Sequence, residues 1–207
     1  AYDSLQFISR EATLGNIVRG IHYWGAGAMV VLVLVHMTQV FLFGAYKFPR
    51  EANWMSGSLL LLATLAMAFT GQLLRWDQDA FWAIVVAAEQ AARAPVIGGF
   101  LASLIVAGQN VGGATLTRFY ATHVFLIPAA VFGLLALHLY LVVKRGISEP
   151  PVPGEKIDPR TYFAKYRALL ARGIPFYPDA AVRDAVVSFV AVVAVVALAV
   201  IIGAPAL

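Results

Sequence analysis

The chain has 207 residues, of which 61% are hydrophobic and 13% are charged, and its formal net charge is +4. A soluble domain carries charge on about a quarter of its residues, so this composition excludes an ordinary soluble protein and indicates a membrane protein. The sequence contains no cysteine, which excludes disulfides, cysteine nucleophiles and iron–sulfur clusters ligated by these residues.

Four uncharged apolar segments are long enough to cross a bilayer as helices. They cover residues 20–46, 52–74, 119–143 and 185–207. The first segment is too long for the apolar part of a signal peptide, and no small-residue cleavage site follows it. We therefore predict an all-α transmembrane helical bundle.

The segments outside the four spans are predicted to lie on the two membrane surfaces. Residues 1–15 form a short amphipathic lead-in. Residues 75–118 contain apolar runs interrupted by proline and glycine, which predicts two short interfacial helices on the outer side. After the third span, a proline-rich linker at 148–159 leads to an aromatic and basic helix over about 160–172 on the inner surface.

The basic residues are distributed unequally between the two sides that four spans define. One side holds ten lysines and arginines, in the 47–50 and 144–183 segments, and the other side holds five arginines. The positive-inside rule places the first set in the cytoplasm or its equivalent. Topology thus accounts for the basic charge, and binding to nucleic acid is not indicated.

All four histidines lie in the first and third spans, as His22 with His36 and His123 with His138. A step of fourteen residues advances a helix by roughly 21 Å and returns to within about 40° of the starting face, whereas fifteen residues overshoot by about 60°. Each helix would carry one histidine near each edge of the ~30 Å hydrocarbon core, broadly on one face. Two such helices form a scaffold for two bis-histidine haems, with His22 and His123 toward the outer side.

Other interpretations of the same residues remain open. An intramembrane histidine can also serve as an interhelical hydrogen-bonding residue, whereas a haem ligand needs its second ring nitrogen satisfied by a carbonyl, hydroxyl or water. The second span contains Gly57 and Gly71, again fourteen residues apart. Each glycine would leave room for a porphyrin edge at the depth of one haem, and ordinary helix packing is the alternative.

Basic residues also flank the histidines. Arg19 and Arg118 lie at the outer edge, and Lys144 and Arg145 lie at the inner edge. Guanidinium and ammonium groups suit the carboxylates of haem propionates, and we interpret the two outer arginines in this way. For Lys144 and Arg145, propionate binding, snorkelling to lipid headgroups and contact with a quinone headgroup are the alternatives.

Several stretches resemble the cytochrome b family, especially its cytochrome b6 branch. The family's second helix and following loop are similar to LGNIVRGIHYWGAGAMVVLVLVHMTQVFLFGAYKFPREANWMSG. The end of its third helix is similar to TGQLLRWDQDAFWA, and the entry and exit of its fourth helix are similar to GGATLTRFYATH and HLYLVVKRGIS. The fifteen-residue step between the last two histidines resembles the cytochrome b6 type. The tail, GIPFYPD followed by an apolar span, resembles the beginning of subunit IV.

The resemblance implies a cytochrome b-type dihaem bundle with three parts. A cytochrome b6-like dihaem domain would cover residues 1–150, an inner-side linker and amphipathic helix 151–179, and an additional transmembrane helix 180–207. The family's first helix would precede residue 1. The cysteine that attaches the extra haem of cytochrome b6 would lie on that helix.

The resemblance also implies roles for individual residues. His22 and His123 would ligate the outer haem, and His36 and His138 the inner haem. Both haems would be b-type, held without covalent bonds to the chain.

Further roles concern the surroundings of the haems. The two outer arginines match the family's propionate ligands, and Trp54 matches a tryptophan that lines the inner haem. Phe81, Trp82 and Val85 match the wall of the quinol pocket, and the 95–113 segment lies where a Rieske protein docks.

The function that the resemblance implies is quinol oxidation at the outer face of a bacterial inner membrane or a photosynthetic membrane. One electron would pass to a Rieske iron–sulfur protein and then to a c-type cytochrome or plastocyanin-type acceptor. The other would cross through the haems to a quinone, coupled to proton translocation. A second-half cytochrome b or subunit IV-like chain and a second copy in a homodimer would complete the assembly.

Two alternative functions remain open. One is a dihaem anchor that links the quinone pool to an attached dehydrogenase. The other is a histidine-lined proton or metal transporter, which would be colourless.

Overall fold

The computed structural model describes residues 1–152, 154 and 156–205. Within these residues, the regular secondary structure consists of α-helices and two short π-helical turns. The α-helices in chain order are α1 Tyr2–Arg10, α2 Gly15–Leu42, α3 Glu51–Leu73, α4 Gln78–Ala92, α5 Gly98–Val106, α6 Gly113–Ala121, α7 Ile127–Arg145, α8 Tyr162–Leu170 and α9 Ala181–Ile201. The first π-helical turn is Thr122–Leu126, between α6 and α7. The second, Phe176–Ala180, precedes α9 and is kinked, because Tyr177 has extended backbone angles of φ −107° and ψ 132°.

Four helical stretches are long and apolar enough to cross a membrane, and they confirm the four predicted spans. These stretches are α2, α3, the continuous run Gly113–Arg145 and the run Phe176–Ile201. The first span begins and ends a few residues earlier than predicted. It ends at Leu42 because Gly44 adopts a positive φ of +63°, which turns the chain toward α3.

The spans pack in two pairs, α3 against α7 and α2 against α9. The second pair approaches closely at the end of the bundle that the charge distribution predicts to face outward (the outer end), where a Cβ placed on Gly20 would lie only 3.0 Å from the Cβ of Ala199. The indole nitrogen of Trp24 donates to the carbonyl of Gly203 over 2.9 Å. This bond satisfies a backbone carbonyl just beyond the end of α9, where carbonyls lack partners within the helix.

The two short helices predicted between the second and third spans are present as α4 and α5, which pack against each other. The carboxylate of Asp77 caps α4 by accepting a hydrogen bond from the amide of Ala80 over 2.9 Å. Ile84 and Ala88 form the buried face of α4. Pro95 and the positive φ of Val96 lie in the turn that separates the two helices.

Arg50 joins three elements at the inner end of the bundle. This side chain is only 6% exposed, and its Nε and Nη2 donate to the carbonyls of Gly146 and Ile147 over 2.8 and 2.7 Å, just beyond the end of α7. Its guanidinium also lies 5.7 and 5.4 Å from the ring centroids of Tyr162 and Tyr166 on α8. Burial raises the pKa of Tyr162, and the neighbouring guanidinium opposes that shift. The helix predicted over 160–172 is thus held against the ends of α3 and α7.

Replacing Arg50 with alanine is expected to release α8 from the bundle. Each hydrogen bond from a charged group contributes about 1.5–3 kcal/mol, so losing both, together with the cation–π contacts, costs about 3 kcal/mol or more. The measurement is the rate at which proteinase K cleaves the detergent-purified protein between α7 and α8. The matched control is Arg160→Ala, which removes an exposed arginine from the same segment. Equal cleavage rates for the two variants would contradict this role of Arg50.

Candidate functional site

The four histidines lie on two spans at two levels, in the predicted pairs. On the outer side, the ring centroids of His22 on α2 and His123 in the first π-helical turn are 6.2 Å apart, with the ring planes at 80°. At the inner level, His36 on α2 and His138 on α7 lie close enough for a charge on one imidazole to affect the other. Each level therefore brings one imidazole from α2 toward one from the Gly113–Arg145 run.

An open cleft separates the backbones that carry these histidines. Within the described residues, no Cα atom of α2 lies within 8 Å of a Cα atom of α7 or of the π-helical turn before it. Directly packed helices have axes only about 8–10 Å apart, so some of their Cα atoms normally lie within 8 Å of each other. The imidazoles thus reach toward each other across a space that backbone does not fill.

The outer pair has the separation that two imidazoles would need to hold one metal ion between them. Two metal–imidazole bonds of about 2.1 Å and two ring radii of about 1.1 Å add to about 6.4 Å between the centroids. No group of three or more His, Cys, Asp or Glu in the described part of the chain is placed to hold a metal ion. A porphyrin iron, which brings four nitrogen ligands of its own, fits a pair of imidazoles in a cleft.

The two glycines of α3, Gly57 and Gly71, lie against histidine rings and do not line the cleft between α2 and α7. A Cβ placed on Gly71 would lie 2.5 Å from Cε1 of His123, and a Cβ placed on Gly57 would lie 3.3 Å from Cε1 of His138. An imidazole lies against each glycine because α3 packs directly on α7. A contact with a haem at either glycine stays a prediction.

Two hydroxyls on α3 complete the contacts of these histidines, and the sequence analysis did not identify them. Oγ of Ser56 lies 3.0 Å from Nδ1 of His138, and Oγ1 of Thr70 lies 3.1 Å from Nδ1 of His123. Each hydroxyl residue directly precedes one of the two glycines. The signal in the sequence was this repeated pair of a hydroxyl residue and a glycine, fourteen residues apart.

The π-helical turn Thr122–Leu126 explains how a fifteen-residue step keeps two histidines on one face. A π-helical turn holds one more residue than an α-helical turn, and such turns are frequent at functional sites. His123 lies inside this turn, and α7 continues beyond it to His138. The extra residue in the turn removes the rotation of about 60° that a regular helix would give between His123 and His138. The fifteen-residue step between them is therefore equivalent to a fourteen-residue step in a regular helix.

The predicted propionate ligands are engaged by the protein itself. The guanidinium of Arg19 donates to Oγ of Ser9 over 2.9 Å and to the carbonyl of Pro205 over 2.7 Å. The guanidinium of Arg118 donates to the carbonyl of Leu104 over 2.9 Å. Both side chains lie at the outer end of the bundle, and their binding to propionates stays a prediction.

The inner-edge residues have different surroundings. Nζ of Lys144 lies 5.6 Å from the ring centroid of Tyr140, and Nε of Arg145 is buried without a hydrogen-bond partner in the described part of the chain. The indole of Trp54 packs against Phe41 and Tyr46, with ring centroids 6.5 and 5.5 Å away. These contacts hold Trp54 at the inner end of α2.

Of the three predicted quinol-pocket residues, Phe81 lines an outer cavity with Trp76, Asp77 and other residues of α1 and α4. Trp82 is 58% exposed, and Val85 does not line this cavity. A role for the three residues in quinol binding stays a prediction.

Deleting Phe125 is expected to preserve both histidine sites. The deletion turns the π-helical turn into a regular one, so the step becomes fourteen residues and both imidazoles keep facing α2. Inserting one alanine after Ala130 instead rotates His138 by about 100° relative to His123. The measurement is the haem-to-protein ratio, which we expect to stay at the wild-type value in the deletion and to fall in the insertion. A deletion that loses haem as fully as the insertion would contradict the role of the turn.

Comparisons with known proteins agree on one family. The family model described as Cytochrome b(N-terminal)/b6/petB matches residues 27–207. The menaquinol:cytochrome c reductase cytochrome b subunit of Bacillus subtilis (strain 168) is 44% identical over 151 residues, covering 72% of this chain and 67% of the relative. Cytochrome b6 of Heliobacterium modesticaldum (strain ATCC 51547 / Ice1) is 41% identical over 150 residues, covering 72% of this chain and 70% of the relative.

A solved structure supports the fold. A chain of a hyperthermophilic respiratory Complex III superposes with a TM-score of 0.66 at 28% identity, covering 82% of this chain. The match spans half of that solved chain. With its four apolar helices, this chain is an integral membrane protein, and it belongs to the cytochrome b family in the N-terminal, or b6, form.

Proposed function

We propose that this chain is the cytochrome b subunit of an oxidoreductase that transfers electrons from quinol to cytochrome c or a plastocyanin-type acceptor. The observation that carries the proposal is the facing of histidines at two levels of one cleft between membrane-spanning helices. The names of two relatives, a menaquinol:cytochrome c reductase subunit and a cytochrome b6, support the same assignment.

Two b-type haems would occupy the two levels. His22 and His123 would hold the outer iron, and His36 and His138 the inner iron. A bound haem supplies one-electron oxidation and reduction. The chain supplies ligands at two depths that α2 separates by roughly 21 Å along its axis, together with apolar walls that lower the local dielectric constant.

The membrane-surface residues would serve the substrate and the propionates. Arg19 and Arg118 would exchange their carbonyl acceptors for outer propionates, since a carboxylate binds a guanidinium more strongly than a neutral carbonyl does. At the inner side, Trp54 would line the haem, and Lys144 and Arg145 would bind propionates or a quinone headgroup. Phe81, Trp82 and Val85 would form one wall of the quinol pocket.

The complete reaction needs partners. A Rieske iron–sulfur protein would dock near residues 95–113 and accept one electron, and a c-type cytochrome would follow it. A second-half cytochrome b or subunit IV-like region would complete the quinol pocket, in a homodimeric complex. The excess of basic residues on one side supports an orientation with His22 and His123 toward the outer, positive face, where protons from quinol would be released.

Replacing His123 with alanine is expected to abolish the outer haem and with it bifurcated quinol oxidation, because iron at that level loses one of its two protein ligands. The measurement is the reduced-minus-oxidised absorbance of b-type haem in isolated membranes, combined with cytochrome c reduction by quinol. The matched control is Phe125→Ala, which changes an exposed residue of the same π-helical turn. Two complete b-type signals in His123→Ala would contradict the ligand assignment.

A Rieske protein is expected to co-purify with the chain from native membranes solubilised in mild detergent. The measurement is the electron paramagnetic resonance spectrum of a histidine-ligated two-iron cluster in the purified complex. Two b-type haems together with a dehydrogenase and without that cluster would instead support the dihaem anchor. A colourless protein would overturn both functions and support the transporter.

A further inference from the structure

We propose that Ser56 and Thr70 are positioning residues that hold His138 and His123 in one tautomer and tune the potential of one haem each. The proposal rests on the proposed function, because it assumes a haem at each level. It starts from contacts that do not depend on any ligand, namely the hydroxyl oxygens 3.0 and 3.1 Å from the two Nδ1 atoms.

The direction of these hydrogen bonds follows from the other bond that each hydroxyl makes. Oγ of Ser56 donates to the carbonyl of Asn53 over 3.0 Å, and Oγ1 of Thr70 has the carbonyls of Ala66 and Met67 as acceptors at 2.8 and 3.2 Å. Because a hydroxyl has one hydrogen to donate, we assign each hydroxyl the acceptor role toward its imidazole. In this assignment Nδ1 carries the proton in both rings, and Nε2 keeps the lone pair that a metal ligand needs.

Burial keeps these bonds in place. Ser56 is 4% exposed and Thr70 is 6% exposed, so neither hydroxyl has ready access to water. An imidazole N–H without a hydrogen-bond partner is disfavoured in apolar surroundings. Gly57 and Gly71 let the rings approach α3 closely enough for the bonds to form.

The arrangement is different on the other side of the cleft. In the described part of the chain, no hydrogen bond reaches a ring nitrogen of His22 or His36. The orientation of one ligand at each level is thus set by α3 through α7, whereas the ligand on α2 is free to adjust. The backbone carbonyls of Met67 and Asn53 also interact with the imidazoles of His123 and His138, and the hydroxyl is the partner at each level that a substitution can remove.

The expected effect on the haems has a definite sign. A hydrogen bond accepted from Nδ1–H raises the basicity of the ligand and favours the oxidised, more positive iron. Removing the hydroxyl is therefore expected to raise the midpoint potential of one haem only. Thr70→Val should affect the outer haem, and Ser56→Ala the inner haem.

The experiment is a redox titration of the intact complex in its membrane, which resolves the two b-type haems. The matched control is Thr64→Val, because Thr64 lies on the same helix and donates to the carbonyl of Leu60 over 2.8 Å but has no histidine partner. We expect Thr70→Val to shift the outer potential upward, Thr70→Ser to restore it, and Thr64→Val to leave both potentials unchanged.

Each result has a distinct meaning. The proposal would be overturned if Thr70→Val and Ser56→Ala kept their full haem content and had wild-type midpoint potentials. It would also be overturned if Thr64→Val shifted the midpoint potential as much as Thr70→Val did. Thr70→Val could also lose the outer haem altogether. In that case, retention of both haems in Thr70→Ser and Thr64→Val would support the proposal, and loss of haem from these two variants would overturn it. Absence of b-type haem from the wild-type protein would instead overturn the proposed function.

Discussion

The rest of the site depends on the packing of two imidazole rings against one face of α3. His123 and His138 lie against glycines, and buried hydroxyls hold their Nδ1 atoms. Helix α3 packs against α7 and also contacts α2, whereas α2 and α7 have no Cα atoms within 8 Å of each other in the described residues. The histidines of α2 and of the Gly113–Arg145 run face each other across this space.

The sequence predicts the spans and the histidine pairing well because both follow from simple geometry. An apolar run of about 20 residues must be a helix in a bilayer, and a fourteen-residue step returns to nearly the same face. The π-helical turn could not be predicted in this way, since apolar periodicity around His123 does not show which turn holds an extra residue. The hydroxyls of Ser56 and Thr70 were missed for another reason. Their role depends on which helix packs against α3, and composition does not determine that.

The basic residues show a second limit of prediction from sequence. A guanidinium near the end of a span suits a propionate, a lipid headgroup or a backbone carbonyl equally well. The structure places Arg19 and Arg118 on carbonyls of outer segments, and it places Arg50, which the sequence analysis counted only as a topological charge, at the buried junction of three elements. Burial therefore distinguishes the structural arginine from the two that lie near the cleft.

The repeat of fourteen residues connects the geometry of the site to its function. It occurs between the histidines of α2 and between the hydroxyl–glycine pairs of α3, and the π-helical turn gives the Gly113–Arg145 run an equivalent step. The same arrangement of residues therefore recurs roughly 21 Å along the bundle, so both levels offer two histidines. Any difference in potential between them must come from their surroundings. Two arginines, Arg19 and Arg118, lie at one end of the bundle, and Lys144 and Arg145 lie at the other. With basic residues at both ends, the contacts of the individual imidazoles, with threonine at one level and serine at the other, are the difference between the levels on which our proposal for the two haems rests.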